Sequence, residues 1–436
     1  MWPYHPDLLE TPVPRYTSYP TAADFGSLPT GSLARAVNEA SGDISLYLHI
    51  PFCETICFYC GCNTSAAGRT ERVQSYLTAL HQEIVAVGRE LGPDPKVRRI
   101  AFGGGSPNAI APREFLALVD ALHAHLPLTS PDLSIEIDPR TFSRDWAQAI
   151  EDAGVCRASL GVQTFAAHCQ KAIGREQSEA LIARSVDWLR QSGVRSLNFD
   201  LMYGLPHQTM ADLMDSLART SNYGADRIAL FGYAHVPHIV KRQRVIDAAT
   251  LPGRETRFAM AKAGFDALIS SGYQAIGFDH FAKPQDPMAI AAREGALRRN
   301  FQGFTEDTSD ILIGLGASAI SVFPELIAQN EKNTGRYRMH CSQGALSASE
   351  GIVRSREDAM RGQMIEGLLC HGEIDLTPCL FSQIEARLRP FKERGLATLD
   401  GLTLRIAPEG LPYARVIAAM LDPYREKTTR RFSSAI

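Results

Sequence analysis

The sequence predicts an α/β protein built on a parallel β-sheet that curves into a partial, six-stranded β/α barrel. Two observations predict this fold class. Short apolar segments alternate with stretches of helical period from about residue 31 to residue 262, which is the pattern of repeated βα units. Polar or glycine-rich motifs directly follow these apolar segments, and the carboxyl ends of barrel strands are where active sites collect.

Six short apolar segments are predicted strands, since strands buried on both faces are nearly continuous apolar runs. They are Ser45–Ile50, Val97–Phe102, Leu133–Ile137, Arg157–Gly161, Ser196–Asp200 and Arg227–Phe231. The predicted helices between them are Glu71–Glu90, Pro112–His123, Ser143–Asp152, Ser178–Arg190 and Met210–Ser221.

Three regions are predicted along the chain: an arm at 1–30, the partial barrel at 31–262 and a mainly helical, winged-helix-like domain at 263–436. The arm is rich in Pro and Tyr, and its apolar residues follow neither a helical nor a strand periodicity. Such a segment is as typical of a frayed terminus as of an ordered one. The C-terminal elements predicted are Ser355–Leu369, Phe381–Arg394, a hairpin of Ala397–Asp400 with Leu402–Ile406, and Glu409–Leu421.

Composition and charge exclude several classes of protein. The net charge of −3 gives no basic field for nucleic acid, so DNA binding by the winged-helix-like region is not expected. Apolar runs stay short of the roughly 18 residues that span a bilayer. The start MWPYHPDLLE lacks the basic and apolar parts of a secretory signal. We therefore expect a cytoplasmic protein with reduced thiols.

The segment Tyr47–Asn63 holds four of the nine cysteines, and Cys53, Cys57 and Cys60 have the spacing C-x₃-C-x₂-C. Three thiolates on one loop can hold three irons of a [4Fe–4S] cluster and leave the fourth iron open, whereas electron-transfer clusters normally have four cysteine ligands. Zinc and structural thiols are the alternatives. Zinc is disfavoured because the remaining cysteines form no second C-x₂-C pair.

The motifs together resemble those of the radical S-adenosylmethionine (radical SAM) superfamily and, in detail, of oxygen-independent coproporphyrinogen III oxidases. The resemblance covers nearly the whole chain. Its motifs are YLHIPFC, CFYCGCN, PRYTSYPTA (Arg15–Ala22), GGGSP (Gly103–Pro107), IEIDPR (Ile135–Arg140), LGVQTF, GREQ, DLMYGLPHQT, YAHVP, DHFAKP, RNFQGFT (Arg299–Thr305), GLGASAIS and the C-terminal RRFSSAI.

This resemblance implies a [4Fe–4S] cluster and one or two molecules of S-adenosylmethionine as cofactors. The implied reaction is the oxidative decarboxylation of two propionates of coproporphyrinogen III to vinyl groups by a 5′-deoxyadenosyl radical. It gives protoporphyrinogen IX for haem biosynthesis. The resemblance also implies that the arm lies near the active site and that the C-terminal domain is a substrate lid.

The cofactor-binding residues are implied by the same resemblance. One S-adenosylmethionine is assigned to Tyr47, Gly104, Glu136 and Ile320. Seven further residues match a second S-adenosylmethionine site of the family: Tyr59, Gly105, Ser106, Gln163, Arg175, Asp200 and Ala234. The residues by themselves leave other interpretations open: a plain turn for the glycines, a helix cap or surface ion pair for the carboxylates, and packing for Tyr59.

Cys62 and Tyr47 are the candidate catalytic residues. Cys62 follows Cys60 as C-x-C, too close to complete the same cluster, and the family's haem-chaperone relatives typically lack it. A role in hydrogen or proton handling is one interpretation, and an inert thiol is the other.

A substrate with four carboxylates needs cations, for which Arg15 and Arg299 are candidates, with Lys283 a weaker one. The expected partners are this tetrapyrrole and an unidentified electron donor and acceptor, and we expect a monomer. The alternative functions are a haem-binding or haem-delivery protein on the same scaffold, and a radical SAM enzyme that acts on another tetrapyrrole.

Overall fold

The computed structural model describes residues 2–427, and the predicted C-terminal motif RRFSSAI lies outside them. The chain forms two compact units. Unit 1 comprises Met1–Asp24, Leu201–Thr308 and Ser355–Ile436, and unit 2 comprises Phe25–Asp200 and Ser309–Arg354. None of the helices described is long and apolar enough to cross a membrane. The division by sequence order at residues 30 and 262 stays a prediction.

Unit 2 is an α/β unit organised around one sheet. Its strands are Gly26–Ser27, Asp43–Ile50, Phe52–Cys53, Ser65–Ala66, Lys96–Gly104, Leu128–Ile137, Val155–Gln163, Ile311–Leu315, Ile320–Val322, Leu326–Asn330 and Ala348–Val353. Its helices are Ser32–Asn38, Thr70–Glu90, Pro112–His125, Arg144–Asp152, Ala167–Ala172, Glu179–Gln191 and Thr334–Ser342, with short 3₁₀ turns at Pro107–Ala109 and Pro139–Thr141. The strand Ser196–Tyr203 begins in this unit and continues into unit 1.

Parallel strands form the centre of this sheet, as the fold class predicts. Asp43–Ile50 pairs with Lys96–Gly104, which pairs with Leu128–Ile137, which pairs with Val155–Gln163, all in parallel. The first of these strands is buried from Ile44 to Ile50. Apart from Ser45 and His49 this stretch is apolar, which reflects burial on both faces. The predicted strands of this region lie within the observed ones.

The sheet extends beyond these strands in a way that the sequence pattern does not predict. Ile311–Leu315 lies parallel to Asp43–Ile50, with Gly314 opposite Tyr47. Ile320–Val322, Leu326–Asn330 and Ala348–Val353 then continue the sheet as antiparallel neighbours. These strands are three to six residues long, and among them only the last two are separated by a helix, Thr334–Ser342. The segment therefore lacks a regular βα alternation, and the sequence predicts only loops and short strands there.

Unit 1 is built from helices and short strands, most of which pair with antiparallel neighbours. Its helices are Met210–Asn222, Arg254–Ser270, Pro287–Arg293, Arg356–His371, Pro378–Glu393, Ala414–Ala418 and Tyr424–Lys427. Its strands are Arg227–Gly232, Gln274–Ile276, His280–Ala282, Arg298–Asn300, Gly303–Thr305, Glu373–Asp375, Ala397–Asp400 and Thr403–Ile406. The 3₁₀ turns are Pro6–Leu9, Ala22–Asp24, Lys241–Val245, Ala248–Thr250, Pro408–Tyr413 and Ala419–Leu421.

Residue 262, where the alternation was expected to stop, lies inside the helix Arg254–Ser270. The C-terminal hairpin occurs as predicted across Asp400 and Gly401, and Gly401 has φ +59°, a value that suits glycine. A third strand, Glu373–Asp375, joins it.

The predicted helix Glu409–Leu421 is wrong in its extent. This segment is a 3₁₀ turn, a five-residue α-helix and another 3₁₀ turn, and Pro412 lies inside the first turn. Proline has no N–H to donate and its ring crowds the preceding turn, so a continuous α-helix through position 412 is disfavoured.

The N-terminal arm is packed rather than frayed. Val13, Tyr16 and Tyr19 are buried in the apolar core of unit 1 together with residues such as Ile365 and Leu388. The Tyr16 hydroxyl donates a hydrogen bond to the Asp422 carboxylate at 3.0 Å. The Pro-rich composition therefore marks an ordered segment that contributes apolar side chains to the core.

Candidate active site

The cysteine loop directly follows the first parallel strand of unit 2. Phe52–Cys53 pairs with Ser65–Ala66 and closes the loop at its base. Inside it, the Phe58 N–H donates to the Ile173 carbonyl at 2.9 Å. Cys57 is buried, Cys53 and Cys60 are half-buried and Cys62 is exposed. Burial, followed by the nearby thiol of Cys60, raises the pKa of Cys53 to about 12.

The donor set of the loop fits a [4Fe–4S] cluster better than a single metal ion. A tetrahedral zinc ion with Zn–S bonds of about 2.3 Å needs sulfur atoms about 3.8 Å apart. Within residues 2–427, the loop cysteines do not form a set whose ligand atoms all lie within 4.8 Å of one another. Thiolates that bind separate irons of a cluster need a wider spacing.

Two arginines approach the sulfur of Cys57. Arg140 Nη2 lies 3.4 Å and Arg175 Nη1 lies 3.5 Å from Cys57 Sγ. The Asp138 carboxylate holds both guanidinium groups, with Nη2 of Arg140 at 2.7 Å from Oδ2 and Nη1 of Arg175 at 3.2 Å. Two guanidinium groups and one carboxylate therefore place a net positive charge beside this sulfur, which suits a cysteine that binds iron.

Asp138 and Arg140 belong to the surroundings of the cysteine loop, and the sequence assigned neither of them to a site. Burial alone would raise the pKa of Asp138, but the two arginines outweigh it and the pKa is lowered. Asn108 adds a further link, since its Oδ1 accepts from the Asp138 N–H at 2.9 Å and from the Ser106 hydroxyl at 2.9 Å. The motif IEIDPR contained Asp138 and Arg140, and its closeness to the cysteine loop was the missing signal.

The glycines at 103–105 are required by close contacts. Gly104 has φ +114°, and a Cβ there would lie 2.5 Å from the ring of His49. A Cβ on Gly105 would lie 2.5 Å from the Phe52 carbonyl oxygen. Both positions therefore need glycine, and a plain turn does not explain the contacts. The Gly104 N–H donates to Glu136 Oε2 at 3.1 Å.

Glu136 and Tyr47 lie in the same part of unit 2. Burial raises the pKa of Glu136 to about 7, while the Gly104 N–H opposes that shift. Tyr47 is buried, and its hydroxyl lies 3.1 Å from His49 Nδ1. Burial lowers the pKa of His49 to about 4, so the imidazole is neutral at pH 7. Ile320 lies close to these residues. Gly314 is paired with Tyr47 on the neighbouring strand, and a Cβ at Gly314 would lie 2.6 Å from the Ile320 carbonyl oxygen.

The remaining predicted residues of unit 2 are Asp200, inside the strand Ser196–Tyr203, Gln163, at the end of Val155–Gln163, and Tyr59, in the cysteine loop. Asp200 accepts hydrogen bonds from Ser159 Oγ at 2.8 Å and from Asn198 Nδ2 at 2.9 Å, which fixes its carboxylate. Gln163 has φ +67°, an unusual value for a side chain other than glycine. Tyr59 is half-buried, and burial raises its pKa while Arg175 opposes the shift.

Four predicted residues lie in unit 1. The Ala234 carbonyl accepts from Gln243 Nε2 at 3.0 Å. Arg15 Nη2 donates to the Gly232 carbonyl at 3.3 Å, and Arg299 donates to the carbonyls of Tyr16 and Arg15. Lys283, the weaker candidate, is tied to Asp226 at 3.3 Å and to a backbone carbonyl.

A buried carboxylate supports the segment that carries Ile320. Glu83 is 1% exposed and accepts hydrogen bonds from the Gly316 N–H at 2.6 Å, from Asn330 Nδ2 at 2.7 Å and from the Tyr337 hydroxyl at 2.7 Å. Burial nevertheless raises the pKa of Glu83 to about 7. The sequence shows Glu83 as an ordinary polar residue of a helix, and its tertiary partners explain its burial.

We expect Glu83 to make stability fall as pH rises. The folded protein holds the proton of Glu83 up to about pH 7 and the unfolded chain releases it near 4.5, so the free energy of unfolding decreases across this window. A shift of this size corresponds to about 3 kcal/mol. Thermal unfolding midpoints from pH 5 to 8 should show a shallower decline in Glu83→Gln than in the natural protein. The exposed Glu90 on the same helix provides the control, Glu90→Gln, and an unchanged slope in Glu83→Gln would refute the assignment.

Comparison with known proteins gives concordant matches. The family model of the Radical SAM superfamily matches residues 47–219. Oxygen-independent coproporphyrinogen III oxidase from Bradyrhizobium diazoefficiens is 40% identical over 98% of both chains. The protein of that name from Escherichia coli is 34% identical over 97% of this chain and 96% of its own length. The solved structure of coproporphyrinogen III oxidase from Escherichia coli, described as a radical SAM enzyme, superposes with a TM-score of 0.90 and covers 97% of this chain and 99% of that chain.

Proposed function

Because this chain belongs to the family of oxygen-independent coproporphyrinogen III oxidases, which are radical SAM enzymes, we propose that it converts coproporphyrinogen III to protoporphyrinogen IX. Each of two propionates loses a hydrogen atom from its β-carbon, then CO₂ and one electron, and becomes a vinyl group. The observation that carries the proposal is the cysteine loop, in which the Cys57 sulfur lies beside two guanidinium groups.

As a radical SAM protein the chain uses a [4Fe–4S] cluster and S-adenosylmethionine. When bound and reduced, this pair supplies the 5′-deoxyadenosyl radical, and the protein contributes position and shielding. Cys53, Cys57 and Cys60 are the proposed cluster ligands. Arg140 and Arg175 hold positive charge at the Cys57 sulfur, and Asp138 keeps both of them in place.

Tyr47, Gly104, Glu136 and Ile320 are proposed to bind S-adenosylmethionine. Their closeness supports the proposal, since Gly104 contacts Glu136 and Gly314 links Ile320 to Tyr47. A carboxylate that accepts from a backbone N–H keeps lone pairs for a ligand's ammonium group. The second proposed set is Tyr59, Gly105, Ser106, Gln163, Arg175, Asp200 and Ala234.

We expect Glu136→Ala to weaken S-adenosylmethionine binding at least about tenfold, which is about 1.4 kcal/mol, because an acceptor for the ligand's ammonium group is removed. Iron content should stay unchanged, since Glu136 is not a proposed iron ligand. Equilibrium dialysis of the reconstituted protein with labelled S-adenosylmethionine measures the affinity. Glu136→Gln, which keeps the shape and loses the charge, separates electrostatics from packing. Unaltered affinity in both variants would remove Glu136 from the site.

The remaining features of the function are also proposals. A cytoplasmic location is supported by nine cysteines that are all free thiols in the structure. A net charge of −3 supports the absence of nucleic acid among the partners. We propose that the protein acts as a monomer and exchanges electrons with a separate donor and acceptor, since the balanced reaction releases one electron per propionate.

Cleavage of S-adenosylmethionine tests the proposed function against the alternative of a haem-delivery protein. The reconstituted, reduced protein should form 5′-deoxyadenosine and methionine in amounts that rise with added coproporphyrinogen III. Stoichiometric haem binding without any cleavage would favour the alternative. Cleavage that ignores coproporphyrinogen III and responds to another tetrapyrrole would keep the radical chemistry and change the substrate.

A further inference from the structure

Unit 1 contains a cavity that is partly open to solvent, and the empty space in it, together with the solvent at its mouth, is about 820 Å³. Its wall is rich in aromatic side chains, among them Trp2, Phe258, Phe265, Phe278 and Phe281. Three arginines also line it: Arg15, Arg257 and Arg415. Apart from Arg15, the sequence argument assigned no function to any of these side chains. Aromatic surface combined with guanidinium groups suits a ligand that has an apolar body and anionic substituents.

The cations of this cavity outnumber its anions. Asp279 is the one carboxylate among the lining residues, and its Oδ1 lies 2.6 Å from Nδ1 of His280. Three guanidinium groups and one carboxylate give the lining a formal charge of +2. Burial, followed by the charge of Arg15, lowers the pKa of Arg415 to about 10. Such lowering is the effect of positive charges crowded in a dry environment, and an anionic ligand would relieve it.

Two of the arginines have donors left for a ligand. Arg257 donates from Nη2 to the Tyr233 carbonyl at 2.7 Å, and its buried Nε has no hydrogen-bond partner in the described chain. Arg15 makes one long contact, from Nη2 to the Gly232 carbonyl at 3.3 Å, and lies over the Phe231 ring at 5.4 Å. Since a guanidinium group has five N–H donors, these contacts leave both side chains able to bind carboxylates.

Arg299 does not line the cavity itself but contacts two residues that do, Arg15 and Phe278. It donates to the Arg15 carbonyl at 3.0 Å and lies over the ring of Phe278 at 5.0 Å. Its Nη1 is buried without a partner among residues 2–427. Buried polar groups are normally paired, so an orphaned guanidinium donor at this position points to a group that the protein itself does not supply. Arg299 therefore holds Arg15 in position and adds positive charge near the cavity.

From these contacts we propose that the arginine cavity of unit 1 binds propionate carboxylates of the tetrapyrrole, with Arg257 and Arg415 as binding residues alongside Arg15. This inference rests on the proposed function for the identity of the ligand. The aromatic wall contacts the apolar ring system, and guanidinium groups bind carboxylates in bidentate fashion. Arg299 holds the backbone of Arg15 and adds positive charge near the cavity.

S-adenosylmethionine also has a carboxylate, but its charge does not suit this cavity. Its ammonium and sulfonium groups outweigh its one carboxylate, so the molecule carries a net charge of +1. A lining with a formal charge of +2 repels such a cation. Coproporphyrinogen carries four carboxylates and is attracted. The cavity is therefore assigned to the tetrapyrrole, although Ala234, which also lines it, was assigned to S-adenosylmethionine on resemblance.

The test is a binding measurement on the reconstituted protein, kept anaerobic and without reductant so that no turnover occurs. The probe is coproporphyrin III, the oxidised porphyrin with the same four propionates, and ultrafiltration measures its retention. Arg257→Met and Arg415→Met should each weaken binding at least about tenfold, the usual effect of losing a charged hydrogen bond. The control is Arg254→Met, an exposed arginine one turn away on the helix of Arg257, which should bind as the natural protein does.

Each outcome of this test bears on the assignment. If Arg257→Met and Arg415→Met both bind coproporphyrin III as tightly as the natural protein does, the assignment is overturned. A loss of labelled S-adenosylmethionine binding with coproporphyrin III retained would overturn it in favour of the other carboxylate ligand. If the methionine variants fail to fold, Arg257→Lys and Arg415→Lys keep the charge and lose the bidentate geometry, and they should still weaken binding by severalfold. Unchanged binding in these lysine variants would likewise overturn the assignment.

Failure of this inference is distinguishable from failure of the proposed function. Turnover of coproporphyrinogen III that is insensitive to Arg257 and Arg415 would leave the function intact and remove the cavity from it. Arginine-dependent porphyrin binding by a protein that never decarboxylates its ligand would support the cavity and reject the reaction.

Discussion

Cys57→Ala is expected to abolish both cluster assembly and turnover. The substitution leaves two thiolates for three irons and removes the sulfur that lies between Arg140 and Arg175. Loss of a residue that merely supports a metal ligand typically costs 10- to 100-fold in metal affinity or activity, and loss of the ligand itself should exceed that. Iron per chain after anaerobic reconstitution, together with 5′-deoxyadenosine formation, measures the effect.

The control for this substitution is Cys379→Ala. Cys379 is an exposed free thiol outside the cysteine loop, so its removal should leave iron content and turnover unchanged. Cys53→Ala and Cys60→Ala should behave as Cys57→Ala does. A Cys57→Ala protein with a full complement of iron and normal turnover would show that the cluster is held by a different set of residues.

Cys62→Ala is expected to keep the cluster and lose most of the decarboxylation activity, by about 100-fold, the usual contribution of a positioned hydrogen or proton donor. Cys62 is exposed on the loop. Although the residue as a whole is exposed, its thiol is buried. A hydrogen bond with Cys60, followed by this burial, raises the pKa of the Cys62 thiol. The thiol therefore keeps its hydrogen at pH 7, which suits a role in hydrogen or proton transfer.

Two measurements separate this role from a structural one. Iron content in Cys62→Ala should equal that of the natural protein, and so should the binding of S-adenosylmethionine. Cys62→Ser restores an O–H group of similar size, whose hydrogen is much harder to abstract than that of a thiol. Partial recovery in the serine variant would indicate proton transfer, and none would indicate hydrogen-atom transfer. Full activity in Cys62→Ala would show that the thiol is inert.

The parallel strands were predictable because burial on both faces leaves a direct mark on the sequence. Asp43–Ile50 is buried from its second residue to its last, and these seven residues are apolar except for Ser45 and His49. Ile311–Leu315 is just as buried, but it contains Gly314 and no helix connects it to the next strand. Its place beside Asp43–Ile50 depends on a pairing across more than 260 residues, which no local pattern encodes.

The candidate site also combines features that the sequence predicts with contacts that only the fold shows. The cysteine spacing and the glycine run are local, so the sequence was enough to single them out. The contact of Arg140 and Arg175 with Cys57 is not local, and it needs three strand ends to come together. Arg257 and Arg415 were missed for the same reason: each appears in the sequence as an ordinary helical arginine, and only the fold places both on one aromatic cavity.

Product analysis after anaerobic turnover tests the central claim most directly. The reconstituted protein would be mixed with reductant, S-adenosylmethionine, coproporphyrinogen III and a cell extract that supplies the electron acceptor, and the tetrapyrroles would be analysed by mass spectrometry. The account predicts loss of two CO₂ per tetrapyrrole together with 5′-deoxyadenosine and methionine. A tetrapyrrole that keeps all four carboxylates, from protein with its cluster intact, would contradict it.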